Sequence, residues 1–255
     1  MKEKNIGLIG ASSEISKDLL TLLNKEGYKT YCVTTKSNDS LKCYKKLSVQ
    51  DYLEDKDKII QLLYDVPNLI IIFFNGFLAE NRDEQFPKID EIIKTDKINF
   101  VIPYSLTKSL NKELNNIKNF IYISSIAAVK PRYKNYIYGL TKRKLEESIK
   151  KIGLNKYLII RFGKVSTKMS SEHRNPPFMI SSEEASEFIY SNMNKSGITY
   201  PKIGLFIISL VLKDNSSSIE QKIISSPRPC SFHRRTFSLD RSSPFQWGKS
   251  KLCLI

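Results

Sequence analysis

Three side chains near the middle of the 255-residue sequence have the types and spacing of a proton-transfer site: Ser125, Tyr138 thirteen residues later, and Lys142 four beyond that. Residues four apart share one helix face, so the Lys142 ammonium can lie beside the Tyr138 hydroxyl. A phenol with an ordinary pKa of about 10 is a poor proton shuttle at neutral pH. A cation about 4 Å away contributes on the order of 4 kcal/mol at an effective dielectric of about 20, roughly three pKa units, which would bring Tyr138 close to neutrality. Ser125 would hold a carbonyl or alcohol oxygen while Tyr138 exchanges its proton. Among 13 Tyr and 32 Lys the Tyr-x-x-x-Lys spacing also arises by chance, so the pair needs surroundings that position it.

Those surroundings begin at the N-terminus. Gly7-Leu8-Ile9-Gly10-Ala11-Ser12-Ser13-Glu14-Ile15 reads as a strand, a tight turn and the start of a helix, an arrangement that points backbone N–H groups and a helix N-terminus at a phosphate. A site that prefers NAD carries an Asp or Glu about 20 residues beyond the glycines. None lies between Gly27 and Asn38, where the chain reads Val33-Thr34-Thr35-Lys36-Ser37. Hydroxyls and a cation there suit the additional 2′-phosphate of NADP. A third turn, Asn75-Gly76, closes the apolar run Leu69 to Phe74.

The elements that must carry these turns alternate. Strands are expected at 6–9, 28–34, 44–49, 69–74, 120–124 and 157–162, and helices at 14–24, 51–64, 98–114 and 138–152. Repeated βα units imply an α/β fold, a doubly wound parallel sheet with helices on both faces and its strand-to-helix turns along one edge. Residues 1–213 form one domain by this reading. Residues 214–255, with ten Ser, three Pro, 3 Lys and 4 Arg, form a poorly ordered tail.

The formal net charge of +15 favours anionic partners, although the lysines are dispersed and no RNA or DNA motif accompanies them, so no nucleic acid is expected. Four cysteines (Cys32, Cys43, Cys230, Cys253) without C-x-x-C spacing, and two histidines (His173, His233), suggest neither a zinc site nor a disulfide framework. The N-terminus reaches glycine too soon for a signal peptide, and a cytoplasmic setting is expected. Ile203 to Leu212 is far below the roughly 18–20 apolar residues of a membrane span. It is expected as a last core or lid element, or as a segment that rests on a membrane.

Taken in order, Gly10-Ala11-Ser12-Ser13-Glu14-Ile15, Asn75-Gly76, Asn99, Ser125, Tyr138-x-x-x-Lys142 and Gly163-x-Val165-x-Thr167 resemble the short-chain dehydrogenase/reductase family over about residues 5–200. The resemblance implies a Rossmann fold and NAD(P)-dependent oxidoreduction by a tetrad falling on Ser125, Tyr138, Lys142 and Asn99, while Thr35 and Lys36 favour NADP over NAD. It implies that Asn99 supports a water-linked proton path to Lys142 and that Thr167 contacts the nicotinamide carboxamide. Cofactor contacts are expected from Gly7, Gly10, Ser12, Ser13, Glu14, Ile15, Thr35, Lys36, Asn75, Gly76, Tyr138, Lys142, Gly163, Val165 and Thr167. The chain departs from the family's pattern at Glu14 and Ser16, where glycines are common, at Ser48, where an aspartate usually touches adenine, and at Phe162, where proline is usual. The Ser-Glu-Ile turn resembles a branch acting on sugars, including lipid-linked ones. The substrate is therefore expected to be a small carbonyl or alcohol, with a sugar first. A nucleotide-sugar epimerase using the same residues, and a catalytically silent NADP-binding regulator, are the alternatives; a homo-oligomer is compatible with each.

Overall fold

Leu69–Phe73 is apolar at every position and becomes a central strand buried at every position, as a parallel strand covered on both faces must be. It is β4 of seven: β1 (Asn5–Ile9), β2 (Lys29–Thr34), β3 (Lys45–Ser48), β4 (Leu69–Phe73), β5 (Ile117–Ser125), β6 (Tyr157–Phe162) and β7 (Gly197–Thr199). The helices are α1 (Glu14–Lys25), α2 (Lys56–Leu63), α3 (Ile89–Asp96), α4 (Ile102–Glu113), α5 (Tyr136–Lys151), α6 (Ser182–Asn192) and α7 (203–212). The structure, a computed structural model, describes residues 4–37, 40–78, 87–131, 135–170 and 176–212. The expected tail, with Cys230, His233 and Cys253, lies outside the described residues, as do His173 and Arg174.

The strands form one sheet in the order β3-β2-β1-β4-β5-β6-β7, every pair parallel. Because side chains alternate along a strand, Ile70 and Ile72 enter one core while Ile71 and Phe73 enter the other. The first core is closed by Leu19 and Leu23 of α1 with Ala185 and Ile189 of α6; the second by Ile59, Leu106, Leu110, Leu145 and Ile149 of α2, α4 and α5. The doubly wound sheet expected from the βα alternation is therefore present. Its strand order reverses between β1 and β4, which opens a crevice at their carboxyl ends.

The structure adds elements to the expected list. The helix expected from 98 begins at Ile89 as α3, passes through a π-helical turn at Lys97–Val101, in which Ile102 N donates to Lys97 O, and continues as α4. α6 is set by a capping box: the Ser181 hydroxyl accepts from Glu184 N at 3.1 Å, and Glu184 Oε2 accepts from Ser181 N at 2.9 Å. Among the described residues, no helix is long and apolar enough to cross a membrane.

Candidate active site

The crevice at the reversal of strand order is lined by two of the predicted turns. Gly10 follows β1 with φ +81°, and a Cβ there would meet Asn75 N at 3.1 Å and Phe74 C at 3.2 Å. Only glycine combines that conformation with such close approach of two turns. Gly10 N and Ala11 N both donate to Val33 O at 3.0 Å, which fixes the turn against β2. Ser13 caps α1, its hydroxyl accepting from Ser16 N at 3.1 Å. The early amides of any helix lack intrahelical acceptors, so this N-terminus offers donors and positive potential to an anion. Ser12, Ser13 and Ile15 are half-buried around it.

Glu14 places a carboxylate at the same N-terminus, where it would compete with a phosphate. It is drawn aside, because Glu14 Oε1 accepts from Lys168 N at 2.9 Å and so ties this turn to the loop after β6. Gly7, in contrast, lies inside β1, paired with Tyr31 and Ile71 and buried. This corrects the expectation that it belongs to the phosphate turn: its backbone serves the sheet.

The Tyr138 hydroxyl lies close enough to that of Ser125 for the serine to favour its ionised form. Ser125 ends β5, and its oxygen also accepts from Ala127 N at 3.2 Å, which holds the side chain in place. Tyr138 lies in the first turn of α5. Gly139 beside it is a forced choice, since a Cβ would meet Ala127 O at 2.6 Å. Lys142, one turn on and buried, donates to Asn75 O at 3.2 Å and Ile123 O at 3.0 Å. Its Nζ lies 5.8 Å from the centre of the Tyr138 ring.

The expected acidification of Tyr138 is not what this geometry produces. Burial, opposed by the nearby Ser125 hydroxyl, pushes the phenol up to about 12. Lys142 is moved the other way, down to about 8, by its own burial, with the Glu146 charge opposing. The ammonium is committed to two carbonyls instead of the phenol, and desolvation outweighs the distant attraction.

Asn99 occupies the π-helical turn and is fully buried. Its amide embraces the Phe77 backbone: Oδ1 accepts from Phe77 N at 2.8 Å, and Nδ2 donates to Phe77 O at 2.8 Å and to Thr141 Oγ1 at 3.3 Å. It thereby holds the Asn75–Phe77 turn that supplies a carbonyl to Lys142. The implied water path from Asn99 to Lys142 stays an expectation, since the described contacts of Asn99 run to Phe77 and Thr141.

Three other expected segments follow the carboxyl ends of β6, β2 and β4. Gly163 and Val165 follow β6, Val165 bridging to Ile180, and Thr167 N donates to Ser170 Oγ at 3.2 Å. Thr35 and Lys36 are exposed beyond β2, their turn set by Lys36 N donating to Thr34 Oγ1 at 3.0 Å. Asn75 is buried, its Oδ1 has no hydrogen-bond partner among the described residues, and Gly76 beside it is exposed.

Sequence reading missed Glu146, Ser124, Arg161, Tyr200 and Tyr52. Glu146 continues the four-residue spacing of Tyr138 and Lys142, a signal that could have been followed. It accepts from Ser124 Oγ at 2.6 Å and from Arg161 Nε at 3.0 and 3.1 Å, while Arg161 donates to Tyr200 Oη at 2.6 Å. This buried ion pair lies directly beneath the Ser-Tyr-Lys group. Tyr52 is buried beside the Gly10 and Thr35 backbone and the Asn75 side chain, and burial pushes its hydroxyl up to about 12. Nothing local in the sequence distinguishes it.

A nicotinamide dinucleotide carrying phosphates fits what is present: a glycine-only contact at the reversal of strand order, a helix N-terminus whose acid is tied elsewhere, a buried Asn75 Oδ1 without a partner among the described residues, and, beyond β2, Lys36 in a stretch from Gly27 to Asn38 that holds no acid. Among the described residues no group of three or more His, Cys, Asp or Glu could hold a metal.

No protein-family model and no curated protein sequence matches the chain. Solved structures do. A short-chain dehydrogenase from Burkholderia cenocepacia J2315 in complex with NADP superposes with a TM-score of 0.71 at 15% identity, covering 88% of this chain and 98% of that one. Thermoplasma acidophilum aldohexose dehydrogenase, solved ligand-free, gives 0.67 at 15% identity over 80% and 94% of the two chains. A variant of ElxO with NADPH bound gives 0.65 at 15% identity over 80% and 99%. At these identities the likeness concerns architecture: the chain has the Rossmann-type fold of short-chain dehydrogenases/reductases.

Proposed function

We propose that the chain is an NADP-preferring oxidoreductase that interconverts a carbonyl and a secondary alcohol on a small, sugar-like substrate. The observation that carries this reading is the Ser125–Tyr138 hydroxyl pair with Lys142 one helical turn behind it, at the carboxyl edge of a fold shared with an NADP-bound dehydrogenase. The resemblance to aldohexose dehydrogenase supports a sugar among carbonyl substrates.

Gly10, Ser12, Ser13 and Ile15 would hold the pyrophosphate, Thr35 and Lys36 the 2′-phosphate, and Asn75, Gly76, Gly163, Val165 and Thr167 the remainder of the cofactor. Bound there, the nicotinamide supplies or accepts a hydride. The chain's own part is the proton. Ser125 and Tyr138 donate hydrogen bonds to the substrate oxygen, and Tyr138, protonated at neutral pH because burial raises it, is an acid in the direction of reduction. When its proton leaves, the phenolate forms one turn from Lys142, and the ammonium, anchored by Asn75 O and Ile123 O, stabilises the new charge. Asn99 keeps that anchor in register by holding Phe77.

Oxidation of NADPH and NADH followed against ketosugars and small ketones tests the reading. The expected result is NADPH consumption with at least one sugar, abolished by Tyr138→Phe while NADPH binding by fluorescence survives. Undiminished turnover by Tyr138→Phe would remove the mechanism, and a flat panel would favour a silent NADP-binding protein.

A further inference from the structure

β1 and β6 are not neighbours in the sheet: β4 and β5 lie between them, which at about 4.8 Å per strand sets their ends roughly 14 Å apart. The turns that follow them nevertheless touch. Glu14, at the first position of α1, accepts at Oε1 from Lys168 N, 154 residues along the chain, at 2.9 Å. An acid there would stabilise the helix N-terminus by its charge alone. This one reaches out instead and joins the phosphate turn to the loop after β6.

Both ends of the bond are anchored. Glu14 stands between the Ser13 cap and Ile15, which packs against the core closed by α1 and α6. Lys168 opens a short 3-10 turn, Lys168–Ser170, in which Ser170 N donates to Thr167 O at 3.0 Å and Ser170 Oγ accepts from Thr167 N at 3.2 Å. Ser170 Oγ also donates to Val165 O, and Val165 bridges to Ile180 ahead of α6. The bond between these seated ends is exposed to water, which can replace it.

Between the two turns lies the carboxyl edge of β4 and β5, which carries Asn75 and Ser125. A dinucleotide with its phosphates on the α1 amides and its reactive end beside Ser125 and Thr167 runs past this bond. We propose that Glu14 is a positioning residue, whose carboxylate straps the loop after β6 to the phosphate turn and thereby sets how fast a nicotinamide dinucleotide enters and leaves. This rests on the cofactor reading given above. The strap joins protein to protein and not protein to ligand. A contact that favours neither the bound nor the free state cannot shift the equilibrium between them, so the strap slows exchange in both directions and leaves affinity nearly unchanged.

Stopped-flow NADPH fluorescence with the full chain, read for association and release, tests the strap in two matched pairs. Glu14→Gln loses the charge but keeps an acceptor for Lys168 N; Glu14→Ala loses both. The expected result is association and release each about threefold to tenfold faster in Glu14→Ala than in Glu14→Gln, with Kd in the two equal within about twofold. From the other end, Lys168→Pro deletes the N–H at a position that opens a helical turn, where proline is tolerated, and Lys168→Ala keeps it. The proline variant should be the faster of that pair by a similar factor, and it serves should Glu14→Ala fail to fold. Equal rates within both pairs, or slower exchange in Glu14→Ala, would overturn the strap and leave the cofactor reading standing. A parent chain that binds neither NADPH nor NADH would overturn both.

Discussion

Glu146 stands one helical turn beyond Lys142, with its carboxylate held by Arg161 and Ser124 while the lysine ammonium is anchored on the Asn75 and Ile123 carbonyls. The two residues therefore communicate through the field and not through a bond. Glu146 raises the proton affinity that burial lowers, and so keeps Lys142 from falling further below its ordinary value.

Glu146→Gln should expose how much rests on that carboxylate. The side chains of Arg161 and Glu146 are 7% and 3% exposed, so removing the acid leaves a guanidinium buried without a counter-charge. Breaking such a pair typically destabilises by about 3–5 kcal/mol. Urea unfolding should show a loss of this size, and the double variant Glu146→Leu, Arg161→Met should recover most of it. A single variant as stable as the parent would mean that the pair contributes nothing.

Lys142→Met should separate stability from activity. The difference between about 8 and the ordinary 10.5 corresponds to about 3 kcal/mol of destabilisation at neutral pH, since folding must bury a charge the unfolded chain keeps in water. Methionine removes that cost and forfeits two hydrogen bonds, so a net gain of about 1–2 kcal/mol is expected at pH 7. The sign fixes its pH dependence. A base whose folded-state pKa is depressed regains stability as pH rises from about 8 to 10.5, so the advantage of methionine should shrink across that window. Reduction should meanwhile be lost in the variant, and in the parent should decline above about pH 8 as Lys142 discharges. Thermal melts and turnover at several pH values read both effects.

The fold was largely legible because its strands are short apolar runs between glycine turns, and Leu69–Phe73 is recognisable as a strand buried on both faces from composition alone. The elements that escaped have weaker periodicity. α6 mixes Ser, Glu and Phe so that its apolar face is thin, although Ser181 and Glu184 spell a capping box. β7 has three residues, and α3 is joined to α4 by a π-helical turn that breaks the 3.6-residue pattern at Asn99. At the site, the spacing points to Ser125, Tyr138 and Lys142 as one group, but the four-residue interval by itself directs the ammonium to the phenol. The carbonyls that take it instead come from residues 67 and 19 positions away, a competition no local pattern records.

Gly139→Ala should damage the site without touching a reacting group. The added methyl would meet Ala127 O at 2.6 Å and Pro131 Cα at 3.0 Å, both backbone, so α5 must move. Overpacking of this kind costs about 1–3 kcal/mol. Displacing the first turn of α5 carries Tyr138 away from Ser125, and turnover should fall about tenfold to a hundredfold, more than KM changes. Unaltered kinetics would show that the Tyr138 hydroxyl tolerates a shift of its helix.

Thr35→Asp should invert the coenzyme preference. Thr34 is buried and its hydroxyl accepts from Lys36 N, so the turn beyond β2 has a fixed path and Thr35 is exposed on it. No acid lies between Gly27 and Asn38, so an incoming 2′-phosphate meets hydroxyls and Lys36 without repulsion. A carboxylate at 35 would oppose the phosphate and accept hydrogen bonds from a ribose diol instead. A charge-assisted contact is worth about 1.5–3 kcal/mol, so the expected change is a rise of roughly tenfold to a hundredfold in KM for NADPH with a fall in KM for NADH. Equal treatment of both coenzymes by parent and variant would show that this turn does not read the 2′ position.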